Sequence, residues 1–389
     1  MDQSIKVFFL IPKKTVAISC WMFVALLIAS SSPAQAAGNP SLRHEIERAI
    51  DRGVELLIKI QSPEGRWSTA DQPAVSSLVL VALQGQKIDG QEKAAISKGY
   101  EFLRRNIQPD GSIHGGKGLV NYNTSLGLLA LAAAKDPRDR DDILRARHYL
   151  IGTQIDQGIK GETDTPFDGG VGYGSKYEHS DMGNTLQALE ALYYTRQYAA
   201  DSTIKEDLNW EAAIHFLQSC QNLPSHNKES WASDDPVNKG GFIYYPGNSM
   251  AGETNLPSGR VALRSYGSIS YAGLLSFIYA DLKKEDPRVQ AVLDWLQKNY
   301  TLEENPGMGP QGLYYYFQTM TKALNACGVE QFATPAGVVN WREKLALRLL
   351  DLQQPDGSWI NDNARWWEKD KALVTAYGLI TLETIARGL

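Results

Sequence analysis

Cysteine is scarce in this chain of 389 residues: there are three, and one of them, Cys20, lies in an N-terminal stretch that reads as a leader. The other two, Cys220 and Cys327, allow one disulfide at most, so covalent cross-links cannot be the framework of a fold this size. Excess positive charge is missing too. The formal net charge is −5, and no basic cluster is dense enough to neutralise a phosphate backbone, which argues against nucleic acid as a partner. The six histidines (His44, His114, His148, His179, His215 and His226) show no tight ligand spacing, so neither a metal nor any other cofactor is expected. No segment alternates apolar and polar residues with the β-branched density of a sheet, which leaves a helical protein.

What is present begins with Lys13-Lys14, an uncharged run from Thr15 to Ser30, and the small-x-small site Ala34-Gln35-Ala36. This order is that of a cleaved signal peptide over residues 1–36, and it predicts export to a periplasm or to the medium. An uncleaved N-terminal anchor is the alternative, although the run is short for a membrane span; a membrane contact therefore stays open. Without the leader the net charge falls to about −7. The remaining chain, 37–389, is 43% hydrophobic over the full sequence and long enough to bury a large core.

That chain is a repeat. Six times an amphipathic run with charges along one side is followed by a turn-rich loop and then by an apolar run poor in charge. The amphipathic runs lie near 41–60, 91–106, 141–154, 208–221, 286–299 and 338–353. Their partners lie near 73–84, 121–134, 180–195, 265–280, 311–326 and 371–387. Wide gaps in units three and four mark loop insertions. The apolar runs open on Ser76, Thr124 or Asn184, residue types that cap helix N-termini. The terminal units carry the same apolar faces as the middle ones, so the pairs are expected to close into a double ring, with the second helices inside, rather than to end in the polar caps of an open solenoid.

The breaks between the paired helices share a plan: Gln61-Ser62-Pro63-Glu64-Gly65-Arg66-Trp67, Gln108-Pro109-Asp110-Gly111 and Gln354-Pro355-Asp356-Gly357-Ser358-Trp359. In this the chain resembles the QW repeats of squalene–hopene and oxidosqualene cyclases, which are related to the repeats of protein prenyltransferase β subunits. The resemblance implies a single all-α (α/α)6 toroid over 37–389, with Gln61, Gly65, Trp67, Gln108, Gly111, Gln354, Gly357 and Trp359 as structural clamps. It also directs attention to the mouth of the ring. Class II cyclases there carry an Asp-x-Asp-Asp-Thr-Ala signature whose central acid protonates the substrate. The matching segment is Asp181-Met182-Gly183-Asn184-Thr185, with Gly and Asn where two of the acids belong. Neither residue is a strong Brønsted acid, so cyclase chemistry of that type is not expected unless another carboxylate, such as Glu178, takes over.

Related chemistries find no better footing. Prenyltransferase β subunits bind zinc through an Asp-x-Cys pair, whereas Gln218 and Asn325 precede Cys220 and Cys327 here. Cys327-Gly328-Val329-Glu330-Gln331 is one residue too long for the Cys-Gly-Glu-Gln of complement-type thioester domains. Glycoside hydrolases and polysaccharide lyases also use (α/α)6 rings with an acid pair in an aromatic cleft. Asp234, Asp235, Glu303, Glu304, Asp362, Glu368 and Asp370 could supply one, beside Trp231, Trp366, Trp367 and Tyr314-Tyr315-Tyr316.

Two Gly/aromatic segments, Phe167–Gly174 and Gly240–Gly247, occupy the enlarged loops. Glycine permits close backbone approach, and tyrosine offers flat apolar area with a polar tip. The expected ligand-binding residues are Tyr173, Asp181, Asn184, Tyr266, Tyr271 and Trp367. They would hold a prenyl or terpenoid-like apolar ligand at the mouth, or the loops would contact a protein partner as a non-catalytic scaffold.

Overall fold

The inner runs become helices because almost nothing in them wants water. In the computed structural model, which describes residues 40–85, 90–116, 118–174, 179–200 and 206–389, thirteen α-helices form among those residues. The signal peptide expected over 1–36 and the candidate acid Glu178 lie outside them. In chain order the helices are α1 (Pro40–Ile60), α2 (Pro73–Gln84), α3 (Gly90–Arg105), α4 (Val120–Ala134), α5 (Arg140–Ile151), α6 (Met182–Tyr194), the short α7 (Arg196–Ala200), α8 (Trp210–Ser219), α9 (Gly267–Tyr279), α10 (Pro287–Lys298), α11 (Leu313–Ala326), α12 (Trp341–Leu352) and α13 (Lys371–Ala386). Helices α2, α4 and α9 hold no charged residue, α6 holds only Glu190, and α11 only Lys322. A helix apolar on all sides must be enclosed on all sides.

Enclosure is achieved by closure. The inner helices pack in the order α2, α4, α6, α9, α11, α13, and α13 returns to α2. Helix α1 packs against α13, sealing first unit to last, and α3, α5, α8, α10 and α12 complete the outer ring. The six expected pairs are therefore present and the ring is closed. Two antiparallel hairpins of three-residue strands, β1 (Glu253–Asn255) with β2 (Val261–Leu263) and β3 (Phe332–Thr334) with β4 (Gly337–Val339), interrupt the otherwise helical chain. Val338, read as the start of the sixth amphipathic run, belongs to β4; that helix begins at Trp341.

The turn motif is a clamp between neighbouring units, and it is more regular than the sequence shows. Gln61 Nε2 donates to Gly65 O and to Ala95 O in α3. Gln154 does the same to Gly169 O and Asn209 O, Gln221 to Gly240 O and Arg288 O, and Gln353 to Gly357 O and Ala49 O. The bridging glutamine of unit six is thus Gln353; its neighbour Gln354 reaches only Leu352 O. Gln108 likewise stays within its own turn, donating to Asn106 O and His114 O. In unit two Ile107 holds the bridging position, four residues before Gly111.

Gly65, Gly111, Gly169, Gly240 and Gly357 all have φ between 88° and 92°. A Cβ there would strike the backbone of the next outer helix, at Lys98, Arg145, Ala212, Ala291 and Arg52 respectively. Two positions further on, Trp67, Ile113, Val171, Phe242 and Trp359 each donate a backbone N–H to a hydroxyl of the inner helix: Ser76, Thr124, Thr185, Ser270 and Thr375. Of these, Ser76 and Thr124 were expected to cap their helices, as was Asn184; the two hydroxyls instead sit inside the first turns and accept from the clamp, and the cap before Asn184 is Asp181. The indoles of Trp67 and Trp359 donate to Leu57 O and Leu349 O at 2.7 and 2.8 Å.

Candidate ligand site at the mouth of the ring

The N-terminus of α6 is where the two enlarged loops converge. Met182 N–H donates to Tyr244 O, and Asp181 N–H to Val171 O. Asn121 Nδ2 donates to Gly172 O, and Asn121 N–H to Tyr173 O, which ties the first loop to α4 as well. Asp181 is fully buried and caps α6. Its Oδ1 accepts the Asn184 N–H at 2.9 Å and its Oδ2 the Asn184 Nδ2 at 2.7 Å. The Tyr244 hydroxyl donates to the same carboxylate, and the Tyr173 hydroxyl lies 2.7 Å from that of Tyr244. Burial pushes the Asp181 carboxyl up to about 6, against the opposing pull of the hydrogen bonds from Asn184, Tyr244 and Gly183.

Of the expected site residues, Tyr173, Asp181, Asn184 and Tyr266 come together. Tyr266 is buried at the N-cap of α9 and feels Tyr315, Asp181 and Tyr173 electrostatically. Tyr271 does not join them: its ring packs on Tyr316 at 5.6 Å, and its neighbour in charge beyond that is Tyr300. Trp367 stands in the loop before α13, 46% exposed, and among the described residues no hydrogen bond or ring contact ties it to Asp181. His179 is packed between Tyr245 and Phe167, with ring centroids at 4.4 and 5.9 Å.

Below the mouth the interior of the ring is crossed by polar bridges. Lys322 Nζ on α11 lies 2.8 and 3.0 Å from the two carboxylate oxygens of Glu190 on α6, and Tyr279 also hydrogen-bonds Glu190. Gln187 on α6 pairs with the Tyr315 hydroxyl on α11, and Tyr122 on α4 with Tyr377 on α13. Each of these three helix-to-helix bridges skips one helix of the ring, so each spans the interior. Asn184, Gln187 and Glu190, at successive i, i+3 positions, form a polar stripe down α6. Asn184 Oδ1, Gln187 Oε1 and Gln318 Nε2 are buried there without hydrogen-bond partners. Tyr244, Gln187, Glu190 and Lys322 were not singled out in the sequence, and Tyr315 was named only as a cleft aromatic, although a lone acid in one inner helix and a lone base in another was a usable signal.

The loop acids do other work. Asp370 caps α13, Asp235 accepts from Ser233 and Asn238, Glu303 pairs with Arg348, and Glu368 accepts the Tyr315 N–H. Asp234 and Asp362 are exposed. At position 183 a Cβ would have room, 3.3 Å from Asp181 Oδ1 and 3.8 Å from the Tyr244 ring. Position 183 therefore lies beside the cap and presents only backbone. A separate cavity of about 440 Å³ opens between 161–164 and Asn209–Ala212; its lining is polar and shares no residue with the mouth group. Cys220 and Cys327 are both free thiols, and no group of metal-ligating side chains occurs among the described residues. Among those residues, too, no helix is long and apolar enough to cross a membrane.

The position of Asp181 has a pH signature. Its folded carboxyl titrates near 6, above the ordinary aspartate value, so the fold binds this proton more tightly than the unfolded chain does. The resulting stabilisation is fully present below about pH 4 and is lost as pH rises through about 6, a swing of about 3 kcal/mol. Asp181→Asn keeps a capping oxygen and removes the charge. Urea melts should therefore show the stability of the parent chain, relative to the variant, falling by about that amount between pH 4 and pH 7. A constant difference across that range would mean that Asp181 is ionised throughout.

No protein-family model matches the chain, and no curated protein matches it. Solved structures do. The apo type II terpene cyclase MstE from Scytonema superposes with a TM-score of 0.55 at 13% identity, covering 89% of this chain and 99% of that one. A family 76 glycoside hydrolase from Bacteroides thetaiotaomicron gives 0.54 at 12%, over 87% and 77%. An inactive α-1,6-mannanase variant from Salegentibacter, in complex with α-1,6-mannotriose, gives 0.53 at 9%, over 88% and 99%. At such identities the likeness is one of architecture, shared by enzymes of unrelated chemistry: the chain is an (α/α)6 toroid of the kind built by terpene cyclases and family 76 glycosidases.

Proposed function

We propose that this chain is a binding protein that takes a small molecule at the mouth of its ring and does not carry out class II cyclisation. The observation that carries this reading is the state of the acid position. Gly183 offers backbone where a proton donor belongs, Asn184 replaces a second acid, and the remaining Asp181 is engaged on both oxygens as a helix cap. The polar bridges across the interior add to it, because a long prenyl chain folded inside the ring would have to displace Glu190, Lys322 and their partners. Supply argues the same way. The signal peptide read over 1–36 would export the chain, whereas prenyl substrates are made in the cytoplasm.

A glycosidase reading shares the architecture, and a buried carboxyl that holds its proton near neutrality is the acid such an enzyme needs. It also needs a second carboxylate across the substrate. Among the described residues the candidate loop acids Asp235, Glu303, Glu368 and Asp370 serve as a turn brace, a surface ion pair, a turn brace and a cap, while Asp234 and Asp362 are exposed, which favours binding over turnover. A scaffold for a protein partner, the other alternative, would use the enlarged loops and leave the tyrosine cluster idle.

The test is native mass spectrometry of the chain purified without detergent, beside a Tyr173→Phe variant. The expected result is a bound small molecule whose occupancy falls in the variant at unchanged melting temperature. Cyclised product on incubation with squalene would overturn the assignment. So would an empty chain that captures another protein through its loops.

A further inference from the structure

The mouth and the interior just below it carry two features that a purely apolar ligand leaves unexplained. One is the trio of buried, unpartnered polar atoms: Asn184 Oδ1, Gln187 Oε1 and Gln318 Nε2, on residues no more than 5% exposed. An acceptor buried without a donor loses its hydration with nothing in return, which costs stability. A prenyl chain has no hydrogen to give either oxygen, so it would seal that cost into the complex. A ligand rich in hydroxyl groups would remove it.

The other feature is the pair Trp366-Trp367. Both side chains are large, apolar and exposed, at 41% and 46%. Both also have positive φ, 54° and 66°, a conformation strained for any residue with a side chain. The surroundings enforce it. The Trp366 ring occupies the place a Cβ at Gly312 would need, 2.8 Å away, and Arg365 stacks on that ring at 5.0 Å. Glu368, the next residue, is buried and accepts from Asn361 Nδ2 at 2.7 Å and from Tyr315 N–H at 2.8 Å, which nails the turn to the start of α11. The Trp366 indole is thus held in place, with the exposed Trp367 beside it, at the end of the ring where the inner helices begin. Rigid aromatic faces give contact area with little entropy to lose.

Tyr315 joins the two features. Its backbone N–H holds Glu368 beside Trp367, and its hydroxyl pairs with Gln187. The aromatic platform and the unpartnered acceptors are therefore one tyrosine side chain apart. Resting on the mouth-binding reading above, we propose that the ligand is a sugar: a polyhydroxylated ring that lays a C–H face on Trp366-Trp367 and donates hydroxyls toward Asn184 and Gln187. A sugar ring combines a flat apolar face with a rim of donors, which is the combination this site lacks and would accept.

Isothermal titration with α-1,6-mannotriose, cellotriose, maltotriose and, as the apolar probe, farnesol decides the matter. At least one trisaccharide should bind. Trp367→Ala and Gln187→Met should each weaken it by at least about tenfold, with Trp367→Phe restoring most of the affinity and thermal melts confirming that every variant is folded. Binding of farnesol with no trisaccharide bound would overturn the sugar and leave the mouth-binding reading standing. Trisaccharide binding indifferent to both substitutions would overturn the placement. No probe bound, together with an empty chain in native mass spectrometry, would overturn both readings.

Discussion

Gly169→Ala is expected to cost more than about 4 kcal/mol, enough to leave a mesophilic domain largely unfolded. Two penalties coincide at this glycine. Its φ of 88° strains any residue with a side chain, and the new Cβ would stand 1.9 Å from Ala212 O and 2.0 Å from its carbonyl carbon. Those atoms belong to the first turn of α8, so relief requires moving an outer helix, not rotating a side chain. The contact is also the seat of the Gln154 clamp, which holds Gly169 O and Asn209 O together. Gly161, in the same enlarged loop, is the control: its φ is 87°, yet a Cβ there meets nothing within 4 Å. Gly161→Ala should cost only about 1 kcal/mol, the strain of the backbone conformation alone. Urea denaturation of the two variants side by side measures the difference. Equal effects would show that the clamp between α8 and its loop is not formed.

Breaking the bridge across the ring is the other large effect. Glu190 and Lys322 are the only charges on α6 and α11, and both side chains are largely removed from water. Lys322→Met leaves a buried carboxylate with Tyr279 as its remaining donor, and Glu190→Leu leaves an ammonium with no counter-charge; each should cost about 3–5 kcal/mol. The double variant should recover most of that loss, since two apolar side chains can meet where two charges did. A double-mutant cycle by denaturant titration therefore gives a coupling of several kcal/mol. Additive losses would place the two side chains apart and remove the bridge from the interior. This cycle also bears on the ligand, because the bridge is what closes the ring to a long apolar chain.

The residues differ in how openly they announced these roles. Trp67 and Trp359 were legible because their turns are short and their spacing repeats. Gln154 and Gln221 were not, although they make the same pair of hydrogen bonds, because 15 and 19 residues separate them from Gly169 and Gly240 where Gln61 and Gln353 need only 4. A long insertion can leave and rejoin the same two points in space at small entropic cost, so the geometry survives while the motif dissolves. The reverse happened at Gln354, where proximity to Pro-Asp-Gly pointed to the wrong one of two adjacent glutamines.

At the mouth, Asp181 and Asn184 were found through a family signature, and Tyr173 and Tyr266 through glycine-rich loops. Their partner Tyr244 was passed over, because which of the tyrosines at 244 and 245 points inward depends on the path of a loop. Tyr271 was assigned to the mouth from its place early in an inner helix. It lies one turn in and on the side of α11, packed on Tyr316.

The sequence alone determined the helical class, the six pairs, which partner of each pair is buried, and the lack of an acid at positions 183 and 184, since these depend on residue type and period. Closure of the ring was expected from the apolar terminal units, but only the tertiary structure decided that Gln353 is the clamp and that Glu190 meets Lys322 across the interior. Such contacts join positions as much as 304 residues apart, and no local pattern records them.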